Sequence, residues 1–133
     1  MRIFRSNDAP VGPVDPATFH GHGTVQRLAQ DESGDPVRAY RVTFSDGGRT
    51  NWHTHSGPQW LFVVEGRVRV QAAGGSCHDL EPGDSVVVAP RERHWHGAVP
   101  GSSGTHIAVN LKVNAATVWM EPVSNDEYFG EAG

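Results

Sequence analysis

The sequence predicts an all-β protein made of many short strands. Its 133 residues include 16 glycines and 9 prolines, scattered among the valines, threonines and aromatic residues that favour strands over helices. Alternating apolar and polar runs recur at spacings typical of a sandwich or barrel. A chain of this length supports a single hydrophobic core. We therefore expect one barrel at residues 37–121, preceded by an N-terminal arm at 1–36 and followed by a C-terminal tail at 122–133.

The predicted elements follow one another along the chain with short turns between them. Residues 1–36 are rich in Pro, Gly, Asp and Ser, which predicts an arm with one strand at Gly23 to Gln30. In the next strand, 37–44, apolar residues alternate, and the turn at 45–48 ends it. The tail holds one helical turn with Ser124 as its cap. The remaining strands are predicted at 51–55, 59–64, 67–73, 77–80, 85–89, 94–98 and 105–113.

Charge and composition argue against several classes of partner. Eleven basic and 15 acidic residues give a formal net charge of −4, whereas nucleic-acid binding depends on clustered Lys and Arg. No apolar run approaches the ~20 residues of a membrane span, and the first residues lack the apolar stretch of a signal peptide. The single cysteine, Cys77, cannot form an internal disulfide. We expect a soluble, cytoplasmic protein with no nucleic-acid or membrane partner.

Six of the eight histidines lie in residues 53–106, and five of these suggest a metal site: His53, His55, His94, His96 and His106. His53 and His55 stand two apart, so on a strand both imidazoles leave the same face and can converge on one ion. Gln59 follows after a turn and can return its amide oxygen to the same point. Taken alone, the pair leaves a metal site and a structural role equally open.

These residues resemble the motifs of the cupins. The first cupin motif is matched by Gly47, His53, His55, Gln59 and Gly66. The second is matched by Pro82, Gly83, Asp84, Pro90 and His94. The resemblance implies a small single-domain cupin of the RmlC-like kind, which is a double-stranded β-helix or jelly-roll barrel. It also implies a metal near the mouth of the barrel, with four protein ligands: His53, His55, Gln59 and His94.

A narrower resemblance covers residues 53–59, 89–98 and 105–109. These segments are similar to a group of small bacterial cupins that is related to carboxymuconolactone-decarboxylase-associated cupins and includes manganese-dependent hydroxynitrile lyases. In those lyases a cyanohydrin hydroxyl binds the metal and a histidine moves the proton. The matching residue is His106, so the resemblance implies His106 as the catalytic residue. Asn110 shares a face with His106 and is a candidate for substrate binding.

Four further residues are candidates for substrate binding. Thr50 precedes the first ligand strand, where its hydroxyl contacts either a substrate or its own backbone. His96 shares the face of the ligand His94, so it either lines the pocket or adds a ligand to the metal. Val42 and Phe44 form either core or an apolar pocket wall, and such a wall suits an aromatic or aliphatic small molecule.

Gln59 stands where most cupins have glutamate. Three neutral imidazoles and a neutral amide leave the +2 charge of a divalent ion uncompensated, which strengthens Lewis-acid chemistry and disfavours oxidation of the metal. Nitrogen and oxygen donors fit several divalent transition metals. We rank Mn and Fe first, followed by Zn and Ni.

The sequence as a whole predicts a metal-dependent small-molecule enzyme. The leading hypothesis is a non-redox lyase that acts on a hydroxy or carbonyl compound, like a hydroxynitrile lyase, with the metal as Lewis acid and His106 as proton shuttle. One alternative is an Fe or Ni cupin dioxygenase, and another is a non-catalytic module that binds a small ligand through its metal. The resemblance also implies a homodimer, in which exchange of an edge strand would cover an exposed sheet edge.

Overall fold

The computed structural model describes residues 1–29, 37–111 and 117–130. A 3-10 turn at Ser6–Asp8 precedes the strands, and one short helix, α1 (Asn125–Tyr128), follows them. The strands of the described residues are β1 (Val11–Pro13), β2 (Phe19–His20), β3 (Gly23–Ala29), β4 (Val37–Phe44), β5 (Arg49–Thr50), β6 (His53–His55), β7 (Gln59–Gly66), β8 (Val68–Ala72), β9 (His78–Leu80), β10 (Ser85–Val88), β11 (His94–Ala98), β12 (Gly104–Leu111) and β13 (Thr117–Trp119).

These strands form two antiparallel sheets. The first sheet has the order β1-β3-β4-β12-β7-β10, and its centre is β12, which pairs with β4 on one side and β7 on the other. The second sheet has the order β13-β6-β11-β5-β2, and β8 joins it by pairing with both β11 and β9. The all-β jelly-roll architecture predicted from the sequence is confirmed.

An apolar cluster joins the two sheets. Along β7 the side chains of Leu61 and Val63 are buried, whereas that of Trp60, which precedes Leu61, is 44% exposed. This alternation is what a strand requires. Each fully buried aliphatic side chain contributes roughly 1.5–3 kcal/mol. The cluster consists of Leu61, Val63, Val68, Val70, Val88 and Ala108.

The C-terminal segment covers the outer face of the second sheet. Tyr128 is fully buried in α1, and its hydroxyl donates to the carbonyl of Ala98 in β11. Ser124 caps the helix as predicted, in a capping box with Glu127. The apolar residues gathered here are Trp52, Cys77, Trp95, Val123 and Tyr128.

The region predicted as an arm contributes strands to both sheets. The strand expected at Gly23 to Gln30 is β3, and residue 30 lies outside the described residues. Two further strands were not predicted: β1 pairs with β3, and β2 pairs with β5. Both are only two or three residues long, and the prolines around them obscured the pattern. The boundary predicted at residue 36 also lies outside the described residues.

A glycine brings two strands of the second sheet close together at the site. Gly97 lies in β11, and a Cβ built there would stand 2.5 Å from the carbonyl oxygen of Gly48 and 2.6 Å from the Cβ of Arg49. The close approach places Thr50 beside His96, whose backbone N–H donates to the Thr50 hydroxyl at 3.2 Å. Any larger residue at position 97 would push β5 away from this contact.

Other predicted bounds differ by a few residues. The strand expected at 51–55 is the shorter β6, and β5, which precedes it, was not predicted. The strand expected at 105–113 is β12, which ends at Leu111 before residues outside the described range. No helix among the described residues is long and apolar enough to cross a membrane.

Candidate metal centre

Three histidines converge between the sheets. Their ligand nitrogens, from His53 in β6 and from His94 and His96 in β11, all lie within 4.8 Å of one another. His94 pairs directly with His53 across the two strands, and the two-residue step from His94 to His96 keeps both on one face. The structure thus groups His96 with two of the predicted ligands, and this group could hold a metal ion.

Backbone carbonyls orient two of these rings. Nδ1 of His53 lies 2.8 Å from the carbonyl oxygen of Asn51, and Nδ1 of His94 lies 2.8 Å from that of Glu92. A carbonyl can only accept a hydrogen bond, so each Nδ1 must carry the proton. In the neutral rings Nε2 then bears a lone pair, which is the form that binds a metal.

His55 stands beside this group with one nitrogen unpartnered. Its ring centroid lies 4.9 Å from that of His53 and 5.5 Å from that of His94. Nδ1 contacts the hydroxyl of Thr117 at 3.0 Å, whereas Nε2 is buried without a hydrogen-bond partner. A buried polar atom left in this way costs about 1–3 kcal/mol, so a cation that accepted its lone pair would stabilise the site.

Gln59 turns its amide oxygen towards the same point. Its Nε2 donates to Oδ1 of Asn110 at 2.7 Å, which leaves Oε1 facing Nε2 of His94 at 3.2 Å. Because His94 holds its proton on Nδ1, two lone pairs oppose each other here. A cation between them would turn this repulsion into two favourable contacts, so the donor set fits a metal.

Burial keeps the imidazoles neutral. It lowers the pKa of His53 to about 2, with a further contribution from neighbouring His94, and it lowers the pKa of His55 to about 4. The pKa of His94 is also lowered, again mainly by burial. At neutral pH each ring is therefore uncharged, with one nitrogen that carries a proton and one that carries a lone pair. Metal ligands must be in this form.

His96 and His106 form a buried hydrogen-bonded pair. Nδ1 of His96 lies 2.9 Å from Nε2 of His106, and both residues are at least 95% buried. Burial lowers the pKa of His106 to about 4, and burial next to His106 and the other histidines lowers that of His96 well below its ordinary value. One proton lies between the two facing nitrogens, so one ring donates this hydrogen bond and the other accepts it.

A cavity of about 220 Å³ lies next to the histidines. It has an apolar wall and a polar wall, and no lining residue among those described carries a carboxylate, an ammonium or a guanidinium group. The apolar wall consists of Phe19, Val25, Tyr40, Val42, Ala108 and Trp119. The polar wall consists of Thr50, His53, His55, Gln59, His96, Asn110 and Thr117.

The predicted substrate-binding residues divide between the cavity and the core behind it. Thr50, Val42, His96 and Asn110 line the cavity. Phe44 does not, because its ring packs edge-on against His96 and tilted against His106, with centroids 6.0 and 5.5 Å apart.

The predicted catalytic residue also lies behind the cavity. His106 is absent from the cavity lining, and His96 stands between the two. Alternation along the strand placed His106 and Asn110 on one face, but it says neither which face turns inward nor how deep a side chain lies.

Six cavity residues were not among the predicted site residues. Tyr40 comes from β4 and Ala108 from β12. Thr117 and Trp119 come from β13, and Phe19 and Val25 come from β2 and β3. None of them belongs to a ligand motif. The alternation of Thr117 and Trp119 along β13 was the available signal, and its length of three residues made it weak.

Comparison with known proteins decides the family. The family model for the cupin domain matches residues 40–109, which is more than half of the chain. The chain belongs to the cupin family. This cupin is 40% identical over 118 residues to an (R)-mandelonitrile lyase from Granulicella tundricola, and the match covers 88% of each chain.

Solved structures agree with the fold. A cupin-like protein from Thermotoga maritima is 35% identical, with a TM-score of 0.85 over 87% of this chain and 89% of that one. A cupin 2 conserved barrel domain protein from Rhodopseudomonas palustris is 17% identical, with a TM-score of 0.70 over 95% of this chain and 87% of that one. The second likeness concerns the fold alone.

Proposed function

We propose that this cupin is a metal-dependent lyase that cleaves an uncharged cyanohydrin into a carbonyl compound and hydrogen cyanide. The observation that carries the proposal is the set of unprotonated histidine nitrogens that borders an uncharged, aromatic-walled cavity. The 40% identical relative named (R)-mandelonitrile lyase supports the choice of reaction.

The proposed metal ligands are His53, His55, Gln59 and His94. They offer three nitrogen atoms and one oxygen atom with no formal charge, a set that fits several divalent transition metals. We propose Mn or Fe first and Zn or Ni next. A divalent cation at this position supplies a Lewis acid for a substrate oxygen. The backbone partners of His53 and His94 and the amide of Asn110 hold the donor atoms in place.

His96 is the proposed base, and His106 accepts a hydrogen bond from it on the side away from the cavity. When Nδ1 of His96 donates to Nε2 of His106, Nε2 of His96 carries a lone pair that can take the substrate hydroxyl proton. The oxygen electrons then form the C=O bond, and the electrons of the breaking carbon–carbon bond leave with cyanide. Cyanide takes the proton back from His96, so atoms and charge balance. His106 thus keeps a role in proton transfer through another ring.

The cavity favours a small, uncharged, ring-bearing substrate. A cavity of about 150 Å³ is enough to hold benzene, so 220 Å³ holds a ring with a few more atoms. Phe19 and Trp119, whose ring centroids are 6.1 Å apart, provide aromatic surface for such a ring. A charged substituent away from the proposed metal would find no partner of opposite charge among the described lining residues.

The test is direct measurement of cyanohydrin cleavage. Metal-loaded protein is mixed with racemic mandelonitrile at mildly acidic pH, where the spontaneous reaction is slow, and benzaldehyde is followed by its absorbance. We expect turnover by the wild type and its loss in His96→Ala with the metal retained. Absence of cleavage across a panel of aromatic and aliphatic cyanohydrins would contradict the proposal. Oxygen uptake with those substrates would favour a dioxygenase, and their recovery unchanged but bound would favour a binding module.

The proposed assembly is a homodimer. Two large apolar residues, Trp60 and Val87, pair across β7 and β10 on the outer face of the first sheet and are 44% and 66% exposed. Light scattering coupled to size-exclusion chromatography measures the mass directly. A mass near 14.4 kDa at micromolar concentration would contradict the dimer.

A further inference from the structure

Strand β13 lies directly beside the metal-ligand strand β6. Thr117 pairs with His55, and Trp119 pairs with His53. The Trp119 ring packs on the His53 ring with centroids 4.5 Å apart. This strand lies beyond residue 109, where the match to the family model ends, so its side chains are features of this chain that the cupin motifs do not describe.

The rings of the proposed ligands are held in two different ways. Backbone carbonyls accept the Nδ1 protons of His53 and His94, and those partners do not depend on any side chain. The partner of Nδ1 in His55 is instead a side chain, the hydroxyl of Thr117 at 3.0 Å. Among the three imidazole rings, His55 is therefore the ring whose hydrogen-bond partner a single substitution outside the ligand set can remove.

The contact between Thr117 and His55 matters because it bears on which nitrogen of the imidazole ring carries the proton. A neutral ring carries one N–H, which can sit on either nitrogen. An acceptor at Nδ1 favours the tautomer with the proton there and leaves the buried, unpartnered Nε2 of His55 with a free lone pair. In the opposite tautomer Nε2 carries the proton and cannot bind a cation.

We propose that Thr117 is a positioning residue of the metal centre, whose hydroxyl accepts the Nδ1 proton of His55 and so presents Nε2 to the metal. The inference rests on the metal site proposed above. Partners of this kind outside the ligand set typically change metal affinity by about 10- to 100-fold. Thr117 is the proposed source of such an effect here, and β13 becomes part of the site.

The first experiment reads the tautomer without any metal. Long-range ¹H–¹⁵N correlation spectra of the metal-free protein distinguish Nδ1–H from Nε2–H rings. We expect His55 to be an Nδ1–H ring in the wild type and in Thr117→Ser, and to shift towards Nε2–H in Thr117→Val, which has the same shape without the hydroxyl. An unchanged tautomer in Thr117→Val would overturn the proposal.

The second experiment measures metal affinity. Metal-free proteins are titrated with Co²⁺, followed by calorimetry and by the visible absorption of the bound ion. We expect Thr117→Val to bind about 10- to 100-fold more weakly than the wild type, and Thr117→Ser to bind within about 3-fold of it. Equal losses in both variants would mean that the side chain only packs, and equal affinity in all three would also overturn the proposal.

A matched control removes a hydroxyl elsewhere. Thr43 lies in β4, where its hydroxyl bonds that of Thr105 at 3.0 Å, and Thr43→Val should leave the Co²⁺ affinity unchanged. Should Thr117→Val fail to fold, as judged by circular dichroism, Thr117→Ala takes its place with the same expected results. If the wild type itself binds no Co²⁺, the proposed metal site fails, whereas the tautomer spectra still test the role of Thr117.

Discussion

The two walls of the cavity are held by different forces. On the polar wall each proposed metal ligand has a hydrogen-bond partner that sets its direction, as Asn51 does for His53 and Asn110 does for Gln59. On the apolar wall, Phe19 and Val42 are placed by packing against neighbouring side chains. The two walls should therefore respond differently to substitution. The polar wall should control metal binding and chemistry, and the apolar wall should control substrate affinity.

Loss of a proposed metal ligand is expected to have the largest effect. His94→Ala removes a nitrogen that faces both His53 and Gln59, so metal content should fall to background and turnover by more than about 100-fold, the upper effect of partners outside a ligand set. Metal analysis and the cyanohydrin assay on the same sample check this. Near-normal metal content in the variant would remove His94 from the ligand set.

Substitutions in the His96–His106 pair should lower the rate of catalysis without changing metal binding. We expect His96→Ala to lower kcat by about 10²- to 10⁴-fold, the usual range for loss of an acid–base group, with metal content unchanged. His106→Phe should lower kcat less, because it removes only the partner of the base. If His106→Phe costs more than His96→Ala, the order of the two residues in the proton path is reversed.

The apolar wall should affect substrate binding alone. Val42→Phe adds bulk inside a cavity of about 220 Å³, so KM for an aromatic cyanohydrin should rise about 10-fold, within the 1–3 kcal/mol range of small steric changes in a pocket. Metal content should not change. Val11→Phe is the matched control, since Val11 lies 62% exposed in β1 and does not line the cavity. An equal rise of KM in both variants would contradict the assignment of this wall.

A substitution outside both walls should have the smallest effect. Tyr128→Phe removes the hydrogen bond to the carbonyl of Ala98 on the outer face of the second sheet. The free energy of unfolding should fall by about 1 kcal/mol, measured by urea denaturation, while metal content, kcat and KM stay at wild-type values. A change in metal content would show that the C-terminal cover is coupled to the cavity.

The sequence predicted the fold and the convergence of the main histidines because both depend on local patterns. Alternation sets which residues of β4 and β7 are buried, and the spacing of His53 and His55 sets a shared face. The second motif, which includes Gly83 and His94, places another histidine at the start of a strand. In the structure His94 pairs with His53.

The rest depended on contacts between distant segments. Trp119 reaches His53 only through the pairing of β13 with β6, and Phe19 reaches the cavity only through the pairing of β2 with β5. Periodicity indicates which face a residue occupies, but it carries no information on depth or on strand partners. For the same reason the sequence could not show that His96 lies nearer the cavity than His106.

The proposed function requires the histidine cluster to be a metal centre. Its most direct test is metal analysis by inductively coupled plasma mass spectrometry on untagged protein purified without added metal, beside His53→Ala handled identically. We predict a transition metal at close to one equivalent in the wild type and its loss in His53→Ala, with the variant still folded by circular dichroism. Negligible metal in the wild type, with no uptake when Mn²⁺, Fe²⁺, Zn²⁺ or Ni²⁺ is added, would contradict the assignment of the histidine cluster as a metal centre.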